Sequence, residues 1–242
     1  MKKISIGLTI VLVTLFAVNV NAQVKKTPVK KAPVTKTKVV FRPPVIKKIP
    51  GVRIKLTTDS GVVIIRLYDK TPKHRDNFIK LTNAHFFDSL LFHRVINGFM
   101  VQGGDPESKH AQPGVMLGNG DVGYTIPAEF DTSLFHKKGA LAAARTNNPE
   151  KASSGCQFYL VQGKKYGDPE LDGLEQQIGI KFSPAKRKIY KKIGGTPFLD
   201  MNYTVFGEVE SGLDVIDKIA TVAVDANNRP LVDVRMKAEV VK

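Results

Sequence analysis

The run Phe92-His93-Arg94-Val95-Ile96-Asn97-Gly98-Phe99-Met100-Val101-Gln102-Gly103-Gly104-Asp105 constrains this chain more than any other stretch. An Asn-Gly pair between two apolar, β-prone segments reverses the backbone, because both residues tolerate the left-handed conformation that a tight hairpin demands. Arg94 is therefore expected on one strand, with Phe99, Met100 and Gln102 on the next. A two-residue hairpin would put Arg94 on the face of Phe99 and turn Met100 and Gln102 away. One bulge or a looser turn would bring all four together, and the sequence leaves that choice open. The run offers a permanent cation, an amide and large apolar groups, with no nucleophile among them. An apolar floor beside a fixed fork of donors suits a ligand that has one greasy ring and one polar amide.

Short β-prone runs recur through the rest of the chain. Residues 52–57 and 62–68 flank Asp59-Ser60-Gly61 and read as a hairpin. Thr71-Pro72 opens a helix whose apolar stripe is Phe78, Leu81 and Phe86. A Gly/Pro-rich loop is expected from 103 to about 130, and further strands at 140–144, 156–161, 204–209 and 232–241. A second helix, 211–220, has Ser211 as its cap and Leu213, Ile216 and Ile219 as its apolar face. Many short strands with two lone helices predict a mainly β fold: a closed eight-stranded antiparallel β-barrel capped by two α-helices. Residues 163–195 differ in texture. Two charged, helix-like stretches, 170–177 and 185–192, are separated by Ser183-Pro184 and read as a partly helical insertion between barrel strands.

The termini of this core are of another kind. Lys2-Lys3, the apolar stretch 4–18 and the small-residue site Val20-Asn21-Ala22 predict a signal peptide over 1–22 and hence export, with the periplasm as the expected compartment. Residues 23–50 carry nine basic and no acidic residues and five prolines, which predicts a disordered Lys/Pro-rich tether. A solvated spacer and weak attraction to anionic envelope surfaces are both open for it. Of the formal charge of +15, two units belong to the signal and nine to the tether, leaving +4 for residues 51–242. The basicity thus belongs to a tail and does not mark a nucleic-acid face, and a monomer without nucleic-acid partners is expected. Cys156 is the single cysteine, so no internal disulfide is possible, and its apolar surroundings read as a buried small hydrophobe.

Motifs for harder chemistry fail on context. Gly118-Asn119-Gly120-Asp121-Val122-Gly123 matches a dinucleotide fingerprint, yet no strand precedes it and Ile126-Pro127 follows where a helix should run. The five histidines show no paired metal spacing. Ser153-Ser154-Gly155 lacks the strand–turn–helix setting of a nucleophile elbow. Neither cofactor nor metal is expected.

Three ordered motifs instead resemble the cyclophilins, the peptidyl-prolyl cis–trans isomerases. The 92–105 run is similar to the family signature. Gly155-Cys156-Gln157-Phe158-Tyr159 resembles its Gly-Ser-Gln-Phe-Phe element, and the 198–207 stretch its Leu-Asp-Gly to Val-Phe-Gly element. The resemblance spans 52–241 apart from the insertion. It implies that Arg94 is the catalytic side chain and that Phe99, Met100, Tyr159 and Leu199 form the proline pocket. It further implies that Gln102 and Gln157 bond the substrate backbone, that Ala144 and Arg145 line the groove for the residue before proline, and that Phe198 and Tyr203 close its rim. The rim residues are Trp and His in eukaryotic members, so weak cyclosporin binding is implied. Arg145 stands where asparagine is common, and Met201 where the family has a turn glycine.

Taken singly, Phe99, Met100 and Tyr159 would read as core and Arg94 as a surface strand residue. Their joint occurrence within the motif pattern reverses that reading. The expected partners are proline-containing peptides and unfolded or newly exported proteins. A proline-binding or holdase module with little turnover is the alternative, and it would keep the pocket but have no need of Arg94. A third possibility makes the insertion the partner-docking part and the barrel its scaffold.

Overall fold

The computed structural model describes residues 51–241. The expected signal peptide and the Lys/Pro-rich tether lie outside the described residues. In chain order the elements are β1 (Arg53–Thr58), β2 (Gly61–Leu67), α1 (Pro72–Asn83), β3 (Phe92–Ile96), β4 (Met100–Gly103), β5 (Thr125–Ile126), β6 (Ala140–Ala143), β7 (Ser153–Ser154), β8 (Phe158–Val161), α2 (Asp168–Ile178), α3 (Pro184–Lys192), β9 (Val205–Ser211), α4 (Leu213–Ala220) and β10 (Met236–Val241). Eight strands form one antiparallel sheet in the order β10-β1-β2-β9-β6-β8-β4-β3, and β5 pairs with β7 apart from it.

The strands alternate as half-buried strands should. Ile54 and Leu56 of β1 and Val63, Ile65 and Leu67 of β2 all point inward and are at most 1 % exposed. They meet Phe78 and Leu81 of α1 and Val215, Ile216 and Ile219 of α4 in the main core. Strands β6 and β8 are buried on both faces. Leu141, Ala143, Phe158 and Leu160 face the main core, while Ala140, Ala142, Tyr159 and Val161 face outward into a second apolar cluster with Met100 and Val205.

The barrel does not close. The sheet curls into a half-barrel whose edge strands, β3 and β10, share no ladder. An isolated bridge, Leu91 to Arg235, spans the gap beside the bonds Phe92 N–H to Val234 O and Met236 N–H to Leu90 O, each 2.9 Å. Past Phe92 the strand is bulged at His93, and the free edge of β3 is taken by a loop, with Val95 N–H donating to Asn228 O at 2.8 Å. An edge satisfied by a loop has no group left for β10.

Four α-helices are present among the described residues, because the insertion contributes α2 and α3 besides the two helices expected to cap the sheet. It leaves the sheet after β8 and returns at Gly195, which bridges Lys164. Its small core is Tyr166, Leu171, Phe182 and Tyr190. Ser211 does not cap α4: it ends β9, and Gly212 takes the cap position at φ 91°. A Cβ at Gly212 would sit 2.5 Å from Val62 O, so only glycine fits that corner. No helix among the described residues is long and apolar enough to cross a membrane.

Helix α1 has a cap that the local sequence does not announce. Thr71 holds the N-cap position, but its side chain caps nothing. The distant Glu129 carboxylate does so, accepting from Lys73 N–H at 3.1 Å and His74 N–H at 3.0 Å. Burial would raise the Glu129 pKa, and the bonds from the His74 ring and from these two backbone groups outweigh it, so the net shift is downward. A carboxyl lowered in the folded state stabilises above its unfolded pKa and loses that contribution as pH falls through the folded value. Glu129→Gln is therefore expected to destabilise the fold by about 1–2 kcal/mol at pH 7. Urea melts at pH 7 and pH 3 check this, since the gap between the two proteins should narrow at pH 3. An equal gap at both pH values would refute a charge-based cap.

Candidate active site

The hairpin question resolves in favour of the looser turn. Ile96 pairs with Met100 and Arg94 with Gln102, so three residues, Asn97, Gly98 and Phe99, make the connection. Gly98 has φ 76°, and Phe99 N–H closes the turn on Ile96 O at 3.0 Å. The odd-length connection shifts the parity of the second strand and puts Arg94, Met100 and Gln102 on one face. Gln162 holds the turn in place: its side-chain oxygen accepts from Gly98 N–H at 2.6 Å, and its own N–H donates to Phe99 O at 3.1 Å.

Around that hairpin a cavity of about 140 Å³ is lined by Arg94, Phe99, Met100, Gln102, Ala144, Arg145, Tyr159, Leu199 and Tyr203. These are nine of the eleven residues singled out from the sequence. Tyr159 reaches it because it faces outward from β8, directly opposite both Gln102 and Ala142. Leu199 comes from a short 3-10 turn, Pro197–Leu199, and Tyr203 from the loop beyond it. Tyr203 stands edge-on to Tyr159 with ring centres 6.0 Å apart. Phe198 lies at the rim, 39 % exposed, with its ring 5.7 Å from that of Phe99.

The eleventh residue, Gln157, sits behind Gln102 in a polar relay. The exposed Arg94 guanidinium donates to Gln102 Oε1 at 3.2 Å, and Gln102 Nε2 donates to Gln157 Oε1 at 3.0 Å. Gln157 Nε2 donates in turn to Gly118 O at 2.9 Å and Gly120 O at 2.8 Å. Each amide has one possible orientation, because its oxygen and its nitrogen are both committed. Among the described residues no other protein group accepts from Arg94, so its remaining N–H donors stay available beside the cavity. Gln102, Ala144, Arg145 and Gln157 also line an adjoining cleft of about 520 Å³ floored by the glycine loop 118–123. The Arg145 guanidinium sits over the Tyr203 ring, 4.7 Å from its centre, and donates from Nε to Asn202 O at 3.0 Å.

Other reactive-looking groups are walled in. Ser153, His74 and Glu129 stand in hydrolase order, at 3.0 Å and 2.7 Å, but Ser153 is 1 % and His74 2 % exposed. This chain ties α1 to β7 and meets no substrate. Cys156 is 4 % exposed, and burial pushes its thiol up to about 11, far from nucleophilic. Among the described residues no group of three or more His, Cys, Asp or Glu side chains could hold a metal.

The model of the cyclophilin type peptidyl-prolyl cis-trans isomerase family matches residues 53–240. This chain is a cyclophilin-type peptidyl-prolyl cis–trans isomerase. Two bacterial relatives assigned by name to that activity agree in extent. A Staphylococcus epidermidis protein is 35 % identical over 184 residues, covering 76 % of this chain and 88 % of its own length. A Staphylococcus aureus protein is 33 % identical over the same length and shares. A crystal structure of a cyclophilin type peptidyl-prolyl cis-trans isomerase from Cryptosporidium parvum superposes with a TM-score of 0.57. It covers 79 % of this chain and 98 % of its own, at 18 % identity, a likeness of fold.

Two departures from the usual cyclophilin pattern have visible structural terms. Met201, where the family has a turn glycine, adopts φ 61°, a left-handed conformation that costs an L-residue about 1–2 kcal/mol. Arg145 spends its Nε on the Asn202 carbonyl and lies on an aromatic face, so it packs as much as it charges the groove. Sequence reasoning missed His136 and Asp200, which hold Tyr159 from behind. His136 Nε2 lies 3.0 Å from Tyr159 Oη, and its Nδ1 lies 2.9 Å from Asp200 Oδ1. No spacing joins residues 136, 159 and 200, so no local signal could have found them.

Proposed function

We propose that this cyclophilin speeds rotation about X–Pro bonds by binding the twisted amide, with Arg94 as the catalytic side chain. An exposed guanidinium with one acceptor among the described residues, at the mouth of a 140 Å³ cavity walled by Phe99, Met100, Tyr159 and Leu199, is the observation that carries this reading. The proline ring enters that cavity, and Gln102, backed by Gln157, bonds the peptide backbone. Ala144 and Arg145 border the residue before proline, and Phe198 and Tyr203 form the rim. Resonance sets a barrier of about 18–20 kcal/mol to rotation. In the twisted state resonance is lost, and the proline nitrogen becomes pyramidal and basic. A fixed donor aimed at that nitrogen binds the twisted state better than either planar one, which is what catalysis requires. Arginine suits the task because it stays charged and presents a rigid fork. No proton moves and no covalent bond breaks.

Turnover in milliseconds instead of tens of seconds needs about four decades, or roughly 5–6 kcal/mol of preferential binding. Residues 23–242 should therefore accelerate isomerisation of a proline-containing peptide in a stopped-flow or NMR-exchange assay. Peptide binding without acceleration would leave only a proline-binding module. We further place the enzyme outside the cytoplasm, in the periplasm, as a folding aid for newly exported chains. The basic head, apolar stretch and Val20-Asn21-Ala22 site support this. A mature protein beginning at Gln23 in the envelope fraction is the expected result, and an uncleaved cytosolic protein would overturn it.

A further inference from the structure

The insertion and the proline pocket are joined by a chain of buried polar groups. Tyr190 lies on α3 of the insertion and is completely buried. Its hydroxyl donates to Asp200 Oδ2 at 2.8 Å. The other carboxylate oxygen, Oδ1, receives both the backbone N–H and the Nδ1 of His136, each at 2.9 Å. His136 Nε2 meets the Tyr159 hydroxyl at 3.0 Å, and the two rings lie nearly parallel, 12° apart. Asp200 also follows Leu199 directly, so both ends of the pocket wall hang on one carboxylate. Every member is at most 4 % exposed, which leaves water no role in satisfying them.

We propose that Tyr190, Asp200 and His136 form a positioning chain through which the insertion sets the place of Tyr159 in the proline pocket. The inference rests on the functional reading above. With His136 anchored at both its backbone N–H and Nδ1 by Asp200 Oδ1, its Nε2 presents a fixed hydrogen-bonding partner to the Tyr159 hydroxyl, which therefore has one place to point. The tyrosine ring is then held at its far end as well as by packing, and its near edge faces the cavity. Removing the Tyr190 hydroxyl leaves Asp200 Oδ2, among the described residues, with only the Lys186 ammonium, 3.7 Å away. A buried carboxylate so deprived shifts toward a new donor and takes His136 with it. The Tyr190 ring itself rests on Phe135, Tyr166 and Phe182, contacts that phenylalanine would keep.

The test is a double-mutant cycle in residues 23–242, with Tyr190→Phe, Tyr159→Phe and the double variant. It reads kcat and KM for a proline peptide, peptide Kd and thermal midpoint. Tyr190→Phe should raise KM and Kd about 3- to 10-fold, with kcat changed less. In the Tyr159→Phe background, where the chain has lost its end, the same change should alter KM and Kd less than about 2-fold. Multiplicative effects would overturn the inference, as would a Tyr190→Phe variant whose melting falls while KM and Kd stay at wild-type values. If the wild type turns over but is indifferent to Tyr190→Phe, the inference alone fails. A wild type that neither binds nor accelerates the peptide ends the functional reading and this inference with it. One that binds without acceleration still permits the cycle to be read in Kd.

Discussion

Arg94→Ala is expected to lower kcat/KM for an X–Pro peptide by about 100- to 1000-fold, the effect of removing a single well-aimed donor from a transition state. The loss should fall mainly on kcat, because the pocket that holds the ring loses none of its apolar walls. The fold should hardly notice. Arg94 is exposed, makes one 3.2 Å bond to Gln102, and takes no part in the main core. Surface replacements of this kind usually stay within about 0.5 kcal/mol. Arg94→Lys keeps the charge but loses the planar fork, so it should recover only part of the rate. Paired kinetics and thermal melts of the three proteins decide the matter. An alanine variant with wild-type turnover would remove Arg94 from the mechanism, and one with a greatly lowered midpoint would recast it as structural.

The second large effect concerns acid. His93 is 3 % exposed, and neither ring nitrogen has a hydrogen-bond partner among the described residues. Burial pushes its pKa down to about 4 from 6.5; Asp105 opposes that shift, while Arg94 and Arg229 add to it. The unfolded chain therefore takes up a proton first, and stability falls as pH drops below 6.5 until the folded value is reached. Across about 2.5 pH units this amounts to roughly 3 kcal/mol. His93→Leu, similar in bulk and with no titrating group, should flatten that limb while leaving stability at pH 7 unchanged or higher. Denaturant midpoints from pH 7 to pH 4 provide the test. His74, also lowered by burial despite Glu129, titrates in the same direction, so the variant should keep a shallower slope. A variant with the full wild-type slope would show that His93 is hydrated in solution.

Much of this molecule is legible in its sequence, but not evenly. Strands β1 and β2 show clean alternation because one face is wet, and their inward residues can be read directly. Strands β6 and β8 are buried on both faces, so Ala140–Ala143 and Phe158–Val161 give no sign of which side carries the pocket. Motif resemblance, rather than periodicity, picked out Tyr159. The Asn97-Gly98 reversal is plain, whereas its three-residue length depends on how Gln162 and the neighbouring strand fix the turn. The closed barrel failed for a similar reason, because a distant loop at Asn228 occupies the edge of β3. Glu129 capping α1 and Asp200 steadying His136 are also long-range contacts. Pairings of this kind are set by the tertiary fold and leave no mark on local sequence.

The two-sided burial of β8 has a consequence for how such an enzyme can change. Its neighbouring residues answer to separate demands: Phe158 and Leu160 belong to the interior that keeps the chain folded, Tyr159 to the wall of the cavity and Val161 to the apolar cluster behind it. A substitution at one position need not be answered at the next. Ligand preference can thus drift along the strand while the interior stays fixed, with alternate residues acting as independent dials on a single rigid rod.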